Sequence, residues 1–174
     1  MNKYEVSIEE NPAEEKIDHW YSLYENVKNN SLELNTFTLP KKLFVNIAND
    51  PSWETLTLKL TSCNEGLSAG RRTPLEKETV CVVFSYISGD NYIPMIIGLD
   101  YSYNKEYKVY RQALYQLVMR AKMLGKKKVH LGFSAGIEKK KLGALTFPTY
   151  AFMQVRDSYN AQALATMSLM GKAK

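Results

Sequence analysis

The residues best suited to chemistry lie between positions 96 and 144: Asp100, Tyr101, Tyr103, Tyr107, Arg111, His130, Ser134, and the lysines Lys105, Lys108 and Lys139 to Lys141. A carboxylate can take a proton and a phenol can give one, while ammonium and guanidinium groups beside a helix start can hold an anion. Each also has a plainer use. Aspartate is a common turn or cap residue, and a tyrosine is more often a packing group whose hydroxyl meets water or backbone. A single histidine with no orienting partner in the sequence is more often structural, and a lysine run is usually a solvated face.

A strand, helix, strand unit must position these groups. Tyr110, Ala113, Leu114, Leu117, Val118, Ala121 and Leu124 recur at the period of one helix face. Gly125 suits the left-handed position just past that helix, and Lys126, Lys127 and Lys128 sit at the negative pole of its dipole. Val129, Leu131 and Phe133 then alternate with His130, Gly132 and Ser134 as a short half-buried strand. Ahead of the helix, the apolar run at 93–99 contains Pro94 and Gly98, which predicts a buried strand that bends or bulges near its end. A right-handed crossover between such strands leaves them parallel and neighbouring or nearly so.

The remaining chain supplies two helices and further strands. Asn11, Pro12, Glu14 and Glu15 start a helix that presents Ile17, Trp20, Tyr21, Tyr24 and Val27 and ends near residue 29 or 30. A second helix over 40–48 turns Leu43, Phe44, Ile47 and Ala48 inward, and Asn49-Asp50-Pro51 closes it. Both helices are expected ahead of any strand. Leu56, Leu58 and Leu60, set against Thr55, Thr57, Lys59 and Thr61, predict a strand with one wet face. Residues 62–78, with Gly66, Gly70, Arg71, Arg72 and Pro74, read as a loop with exposed arginines. Residues 79–87 and the run at 93–99 form a hairpin through Ser88-Gly89-Asp90-Asn91. Two short strands at 145–147 and 150–155 and a helix at 160–170 complete the chain.

The 174 residues are 45% hydrophobic and 24% charged, an ordinary globular composition that excludes a disordered chain. They predict an α+β protein of one domain over 1–174: a helical part at 1–50, sheet and crossover helix at 54–157, and a helix or tail at 158–174. No apolar run approaches about 18 residues, and the start Met1-Asn2-Lys3-Tyr4-Glu5 lacks a signal-peptide layout. A cytoplasmic protein with no membrane partner is expected. Cys63 and Cys81 form no metal spacing and fit a reducing compartment, with Cys81 a small core residue. A net charge of +5 is a mild bias toward an anionic ligand.

Three groups of residues carry a resemblance: Ile97-Gly98-Leu99-Asp100-Tyr101, Tyr110-Arg111-Gln112, and Leu131-Gly132-Phe133-Ser134-Ala135-Gly136 followed by Glu138-Lys139-Lys140-Lys141-Leu142-Gly143-Ala144. Together with the element order they resemble the GNAT acyltransferases, in the subgroup related to FemAB-type ligases and to the GNAT domains associated with 8-amino-7-oxononanoate synthase-like enzymes. The likeness covers the second half of the chain well and the first half by element order. It implies a mixed, mostly antiparallel sheet flanked by helices. It also implies transfer of an acyl group from a thioester donor, acyl-CoA, to an amine of a small metabolite or amino-acid derivative. The donor would lie in a gap between the strand ending near Leu99 and the strand starting near Val129. Asp100 would accept a proton, Tyr101 or Tyr103 would protonate the leaving group, and the backbone N–H of Leu99 or Asp100 would polarise the carbonyl. Leu99, Lys105, Lys108, Arg111, Ser134 and Lys139 would hold the donor.

One departure bears on that donor. Where the family has a glycine-rich turn for the pyrophosphate of coenzyme A, this chain has Tyr101-Ser102-Tyr103-Asn104-Lys105-Glu106-Tyr107-Lys108, with no glycine. The alternatives are an aminoacyl-tRNA donor, as FemAB-like relatives use, and a non-catalytic GNAT-like domain within a larger pyridoxal-phosphate aminotransferase or synthase polypeptide. RNA binding for its own sake ranks last, because the charge excess is modest.

Overall fold

The computed structural model describes residues 4–30, 38–61, 79–132 and 136–148, together with residues 162 and 165. The chain divides into two compact units, Met1–Ala144 and Leu145–Lys174. All the elements named below belong to the first.

A strand opens this unit, which corrects the expectation that both helices precede any strand. In β1 (Tyr4–Glu9), Tyr4, Val6 and Ile8 alternate with Glu5, Ser7 and Glu9, and the strand pairs antiparallel with β2 (Trp53–Leu60) from Tyr4↔Leu60 to Glu9↔Thr55. So short a stretch is settled by its cross-strand neighbours rather than by its own propensity. α1 (Glu14–Asn30) and α2 (Lys41–Ala48) follow at the predicted places: α1 buries Ile17 and Trp20 of the expected face together with Leu23, which that face left out, and α2 buries Phe44 and Ile47. β3 (Thr79–Ser88) and β4 (Asn91–Leu99) form the expected hairpin. α3 (Tyr101–Tyr107) and the crossover helix α4 (Val109–Met123) then lead to β5 (Lys128–Val129) and α5 (Gly136–Lys140). The sheet order is β1-β2-β3-β4-β5, antiparallel except for the last pair.

Helices cover both faces of this sheet. On one face α4 sets Ala113, Leu114 and Leu117 against Leu56, Leu58 and Val83. On the other, Phe84 meets Trp20 and Phe44 edge-on, with ring centroids 6.0 and 5.4 Å apart. β2 therefore has no wet face. Thr55 and Thr57 are buried, and the Thr57 hydroxyl lies 2.9 Å from that of Ser7 and 3.2 Å from Glu9 Oε1, so β1 satisfies the polar side of the alternation. Cys81 is buried, as a small core residue should be, and burial pushes its thiol up.

The end of α4 explains how β5 begins. Gly125 is left-handed at φ +66°, its N–H donates to Lys122 at 3.0 Å, and the Lys126 N–H donates back to Ala121 at 2.9 Å. This double closure caps the helix at the predicted place. The N–H groups of Lys127 and Lys128 then both donate to the Asp90 carbonyl, at 2.9 and 3.1 Å, and Lys127 Nζ pairs with the Asp90 carboxylate at 2.8 Å. The basic run thus fastens the start of β5 to the β3–β4 turn. β5 is only two residues long, and Phe133 and Ser134 fall outside the described residues. Residues 145–148 carry no strand, contrary to expectation, and Pro148 has no N–H to give a ladder. The expected elements at 150–155 and 160–170 lie outside the described residues, apart from helical positions 162 and 165.

β4 does bulge, although not at its glycine. The register slips between Phe84↔Ile96 and Ser85↔Pro94, so Met95 has no residue opposite it on β3. Gly98 serves another purpose. A Cβ there would stand 2.8 Å from both Leu23 Cβ and Tyr24 N of α1 and 2.9 Å from Val82 Cγ1, so glycine is what allows α1 to lie this close to β4. Because two of these neighbours belong to a packed helix, Gly98→Ala is expected to cost about 3 kcal/mol of overpacking. Urea unfolding checks this: the midpoint should fall at unchanged slope, and an unmoved midpoint would contradict so close an approach.

Candidate active site

β4 and β5 touch only at Asn91↔Lys128 and Tyr92↔Val129, and the His130 N–H donating to the Tyr92 carbonyl at 3.0 Å ends the ladder. From there β4 runs on to Leu99 with no strand on that side among the described residues. Beyond β5 the described backbone continues to Gly132, at φ +77°, and is described again from α5. Where two parallel strands part, the backbone groups on the abandoned edge are open to a ligand that can pair as a strand would. The Met95 bulge falls within this edge, at a residue 61% exposed.

The tyrosine-rich segment is α3 rather than an irregular turn. Asp100 is its N-cap: Oδ1 accepts from the Ser102 N–H at 2.9 Å and from the Ser102 hydroxyl at 2.6 Å. The Asp100 N–H donates to the Val80 carbonyl at 2.9 Å, so the backbone donor expected there is already engaged. The Leu99 side chain is buried, which leaves only its backbone to meet a ligand. Tyr103 packs against Tyr107 with ring centroids 6.3 Å apart, and the Tyr107 carbonyl accepts from the Tyr4 hydroxyl of β1. Tyr101 is 39% exposed, and partial burial raises the pKa of its phenol.

The cations expected to hold the donor are distributed over three settings. Lys105 is exposed near the end of α3. Lys108 sits between α3 and α4 in the left-handed region at φ +54°, where glycine would be at ease, and its Nζ donates to the Lys105 carbonyl at 2.7 Å. Asn104 Oδ1 accepts from the Tyr110 N–H at 3.0 Å and so caps the first turn of α4 from within the chain. Arg111 reaches across to α5, where Glu138 receives its Nε at 2.9 Å and Lys141 Nζ at 2.7 Å. Lys139 is buried with its Nζ near the Gly132 backbone, 3.9 Å from where a Cβ would stand. Ser134 lies outside the described residues. His130 Nε2 lies 3.1 Å from Asn91 Oδ1, an orienting partner that strand pairing brings close.

Sequence reasoning missed Glu138, Asn104 and Met95. Glu138 had a signal, an acid in the first turn of a short helix ahead of three lysines. Asn104, inside α3 and five residues ahead of α4, had none in its local pattern. The bulge at Met95 had a partial signal in the neighbouring Pro94, which has no N–H for a ladder, but its position depends on the partner strand.

The sheet, its parted strands and the crossover helix together are the GNAT acetyltransferase fold. No protein-family model matches the chain, and no curated protein does. Among solved structures it is similar to an aminoglycoside acetyltransferase from an uncultured soil metagenomic sample in complex with sisomicin (TM-score 0.61, 11% identity, 89% of this chain and 98% of that one). It is also similar to the ribosomal-protein-S18-alanine N-acetyltransferase from Escherichia coli (TM-score 0.51, 13% identity, 80% and 77%). A third similar structure is the aminoglycoside N-acetyltransferase AAC(6')-Iy in complex with the bisubstrate analogue CoA-S-monomethyl-acetylneamine (TM-score 0.55, 10% identity, 88% and 99%). At these identities the likeness is one of fold.

The Arg111–Glu138–Lys141 clasp has a pH signature. Donation from Arg111, and then from Lys141, holds the Glu138 carboxyl down to about 2 from the usual 4.5. A depressed carboxylate contributes stability that is present above its unfolded value and lost as pH falls from there through about 2. In a carbon-detected NMR titration, Glu138 is expected to stay ionised through pH 4 and to return toward 4.5 in Arg111→Ala. An ordinary midpoint in the wild type would mean that the clasp does not form in solution.

Proposed function

We propose that this protein is an N-acyltransferase that moves an acyl group from a thioester donor, acyl-CoA, to an amine of a small metabolite or amino-acid derivative, with residues 1–174 serving as one transferase domain. The observation that carries this reading is the parting of β4 and β5 beside a bulge, which leaves an open backbone edge for the arm of a donor. The similar structures are N-acetyltransferases, one held with an aminoglycoside and one with a coenzyme A bisubstrate analogue, which supports the reaction class.

In this reading the neutral amine attacks the thioester carbonyl, and a backbone N–H at the Met95 bulge or at Leu99 holds the oxyanion. Collapse breaks the carbon–sulfur bond, and the thiolate takes its proton from Tyr101 or Tyr103. The raised pKa of Tyr101 keeps that phenol protonated as a donor. The proton lost by the amine passes to Asp100, which caps α3 through one oxygen and keeps a second. Lys105, Lys108, Arg111, Ser134 and Lys139 hold the donor's anionic groups. One observation favours a second reading, an aminoacyl-tRNA donor in the manner of FemAB-like ligases: the first turn of α4 is capped by Asn104 and its left-handed entry is a lysine, so no open glycine cradle awaits a pyrophosphate. A pyridoxal-phosphate domain in the same polypeptide rests on the sequence resemblance alone.

Titration calorimetry with coenzyme A and acetyl-CoA tests the first reading. Binding on the order of 10 µM is expected, weakened about tenfold in Arg111→Ala and in Lys139→Ala. Absence of binding to the folded wild type would sink the coenzyme A donor and promote the aminoacyl-tRNA one.

A further inference from the structure

The point where β4 and β5 part is held from below by a buried polar cluster that the chemistry above does not use. Tyr92, the last residue of β4 paired with β5, is fully buried, and its hydroxyl donates to Glu54 Oε1 at 2.8 Å. Glu54 belongs to β2, two strands away, and is 8% exposed. Its Oε2 receives Nε and Nη2 of Arg120, at 2.9 and 2.6 Å, from the crossover helix. Both carboxylate oxygens are engaged, and β2, β4 and α4 meet at one acid.

An acid at this place is costly. Glu54 is in phase with Leu56, Leu58 and Leu60 on the apolar face under α4, where a leucine of similar volume would avoid the desolvation of an ion pair. Ser85 stands opposite Glu54 in the β2–β3 register and is fully buried, its hydroxyl beside Tyr92 but without a hydrogen bond of proper geometry. Burial first, and the Glu54 charge as well, push the Tyr92 phenol up, so it remains the donor in its bond to Glu54. What the cluster supplies in return is location. The Tyr92 carbonyl takes the last rung from His130, and the Tyr92 side chain is tied through Glu54 to β2 and to α4.

We propose that Tyr92, fixed by Glu54 and Arg120, is a positioning residue that sets where β4 and β5 diverge and so shapes the gap between them. The use of that gap for a donor rests on the acyl-transfer reading; the positioning does not. The test compares Tyr92→Phe, which keeps the ring and removes only the hydroxyl, with Phe44→Leu, a core change on the opposite face of the sheet. Amide exchange at His130 is expected to quicken about tenfold in Tyr92→Phe and to stay near wild type in Phe44→Leu. Arg120→Lys, which keeps the charge but cannot make both guanidinium contacts, should act in the same direction if Tyr92→Phe fails to fold. Unchanged exchange at His130, or equal acceleration in Phe44→Leu, would overturn the proposal. Coenzyme A affinity, measured on the same variants, should fall about tenfold with loss of the Tyr92 hydroxyl alone. A wild type that ignores coenzyme A would remove the donor reading, and exchange at His130 would still decide the positioning.

Discussion

A parallel pair of only two positions, Asn91↔Lys128 and Tyr92↔Val129, is the constraint on which the candidate site depends. Parallel neighbours cannot be joined by a tight turn, so the chain must leave β4 at its far end, cross the sheet and return. α3 and α4 make that journey, and because they return the chain to the start of β4, the two strands begin together and end apart. If the pair were longer the gap would close; without it, nothing would place α5 opposite the first turn of α4. The Asp90 carbonyl, which takes the N–H groups of both Lys127 and Lys128, makes so short a pairing definite.

The rest of the fold keeps β4 in one position while its edge stays open. The strand is clamped between α1, which lies against Gly98, and α4, which covers the opposite face. Its antiparallel ladder with β3 spans the strand except at Met95. A strand held on three sides can leave the fourth unpaired without fraying, because its register is already fixed by burial on both faces. β1 contributes from a distance: it closes the far edge of β2, and the Tyr4 hydroxyl meets the last carbonyl of α3.

What the sequence made legible follows the range of the forces involved. The crossover helix, its glycine stop and the β3–β4 hairpin are written in neighbouring residues, and they stand where periodicity and turn chemistry put them. β1 was legible too, since Tyr4, Val6 and Ile8 alternate cleanly, but six residues carry little weight without the strand they pair with. The bulge of β4 and its glycine have separate causes: the bulge falls at Met95, while Gly98 is set by a helix more than seventy positions earlier. The type of Asp100 alone allows a cap or a base, and the Ser102 contacts, both on Oδ1, establish the cap and leave Oδ2 for the second use. The Glu54, Tyr92 and Arg120 cluster drew on three separated elements, yet it left one trace: an acid on the leucine face of β2, out of keeping with its own alternation.

The charge pattern shows most clearly how sequence and structure differ as evidence. In the sequence, Lys126 to Lys128 and Lys139 to Lys141 are two basic blocks that suggest a surface for an extended anion. In the folded chain these lysines go to different places: Lys126 to the Gly89 carbonyl, Lys127 to Asp90, Lys141 to Glu138 and Lys139 into the interior. Arg111 and Arg120 are likewise matched, to Glu138 and Glu54. A surface that binds a nucleic-acid backbone gains by presenting many unmatched cations that release counterions together. Here several of them are already paired or buried, so the chain's excess of +5 is not gathered into a stripe by these two blocks. The first block ties the β3–β4 turn to the start of β5, and Lys141 of the second closes on Glu138 of α5.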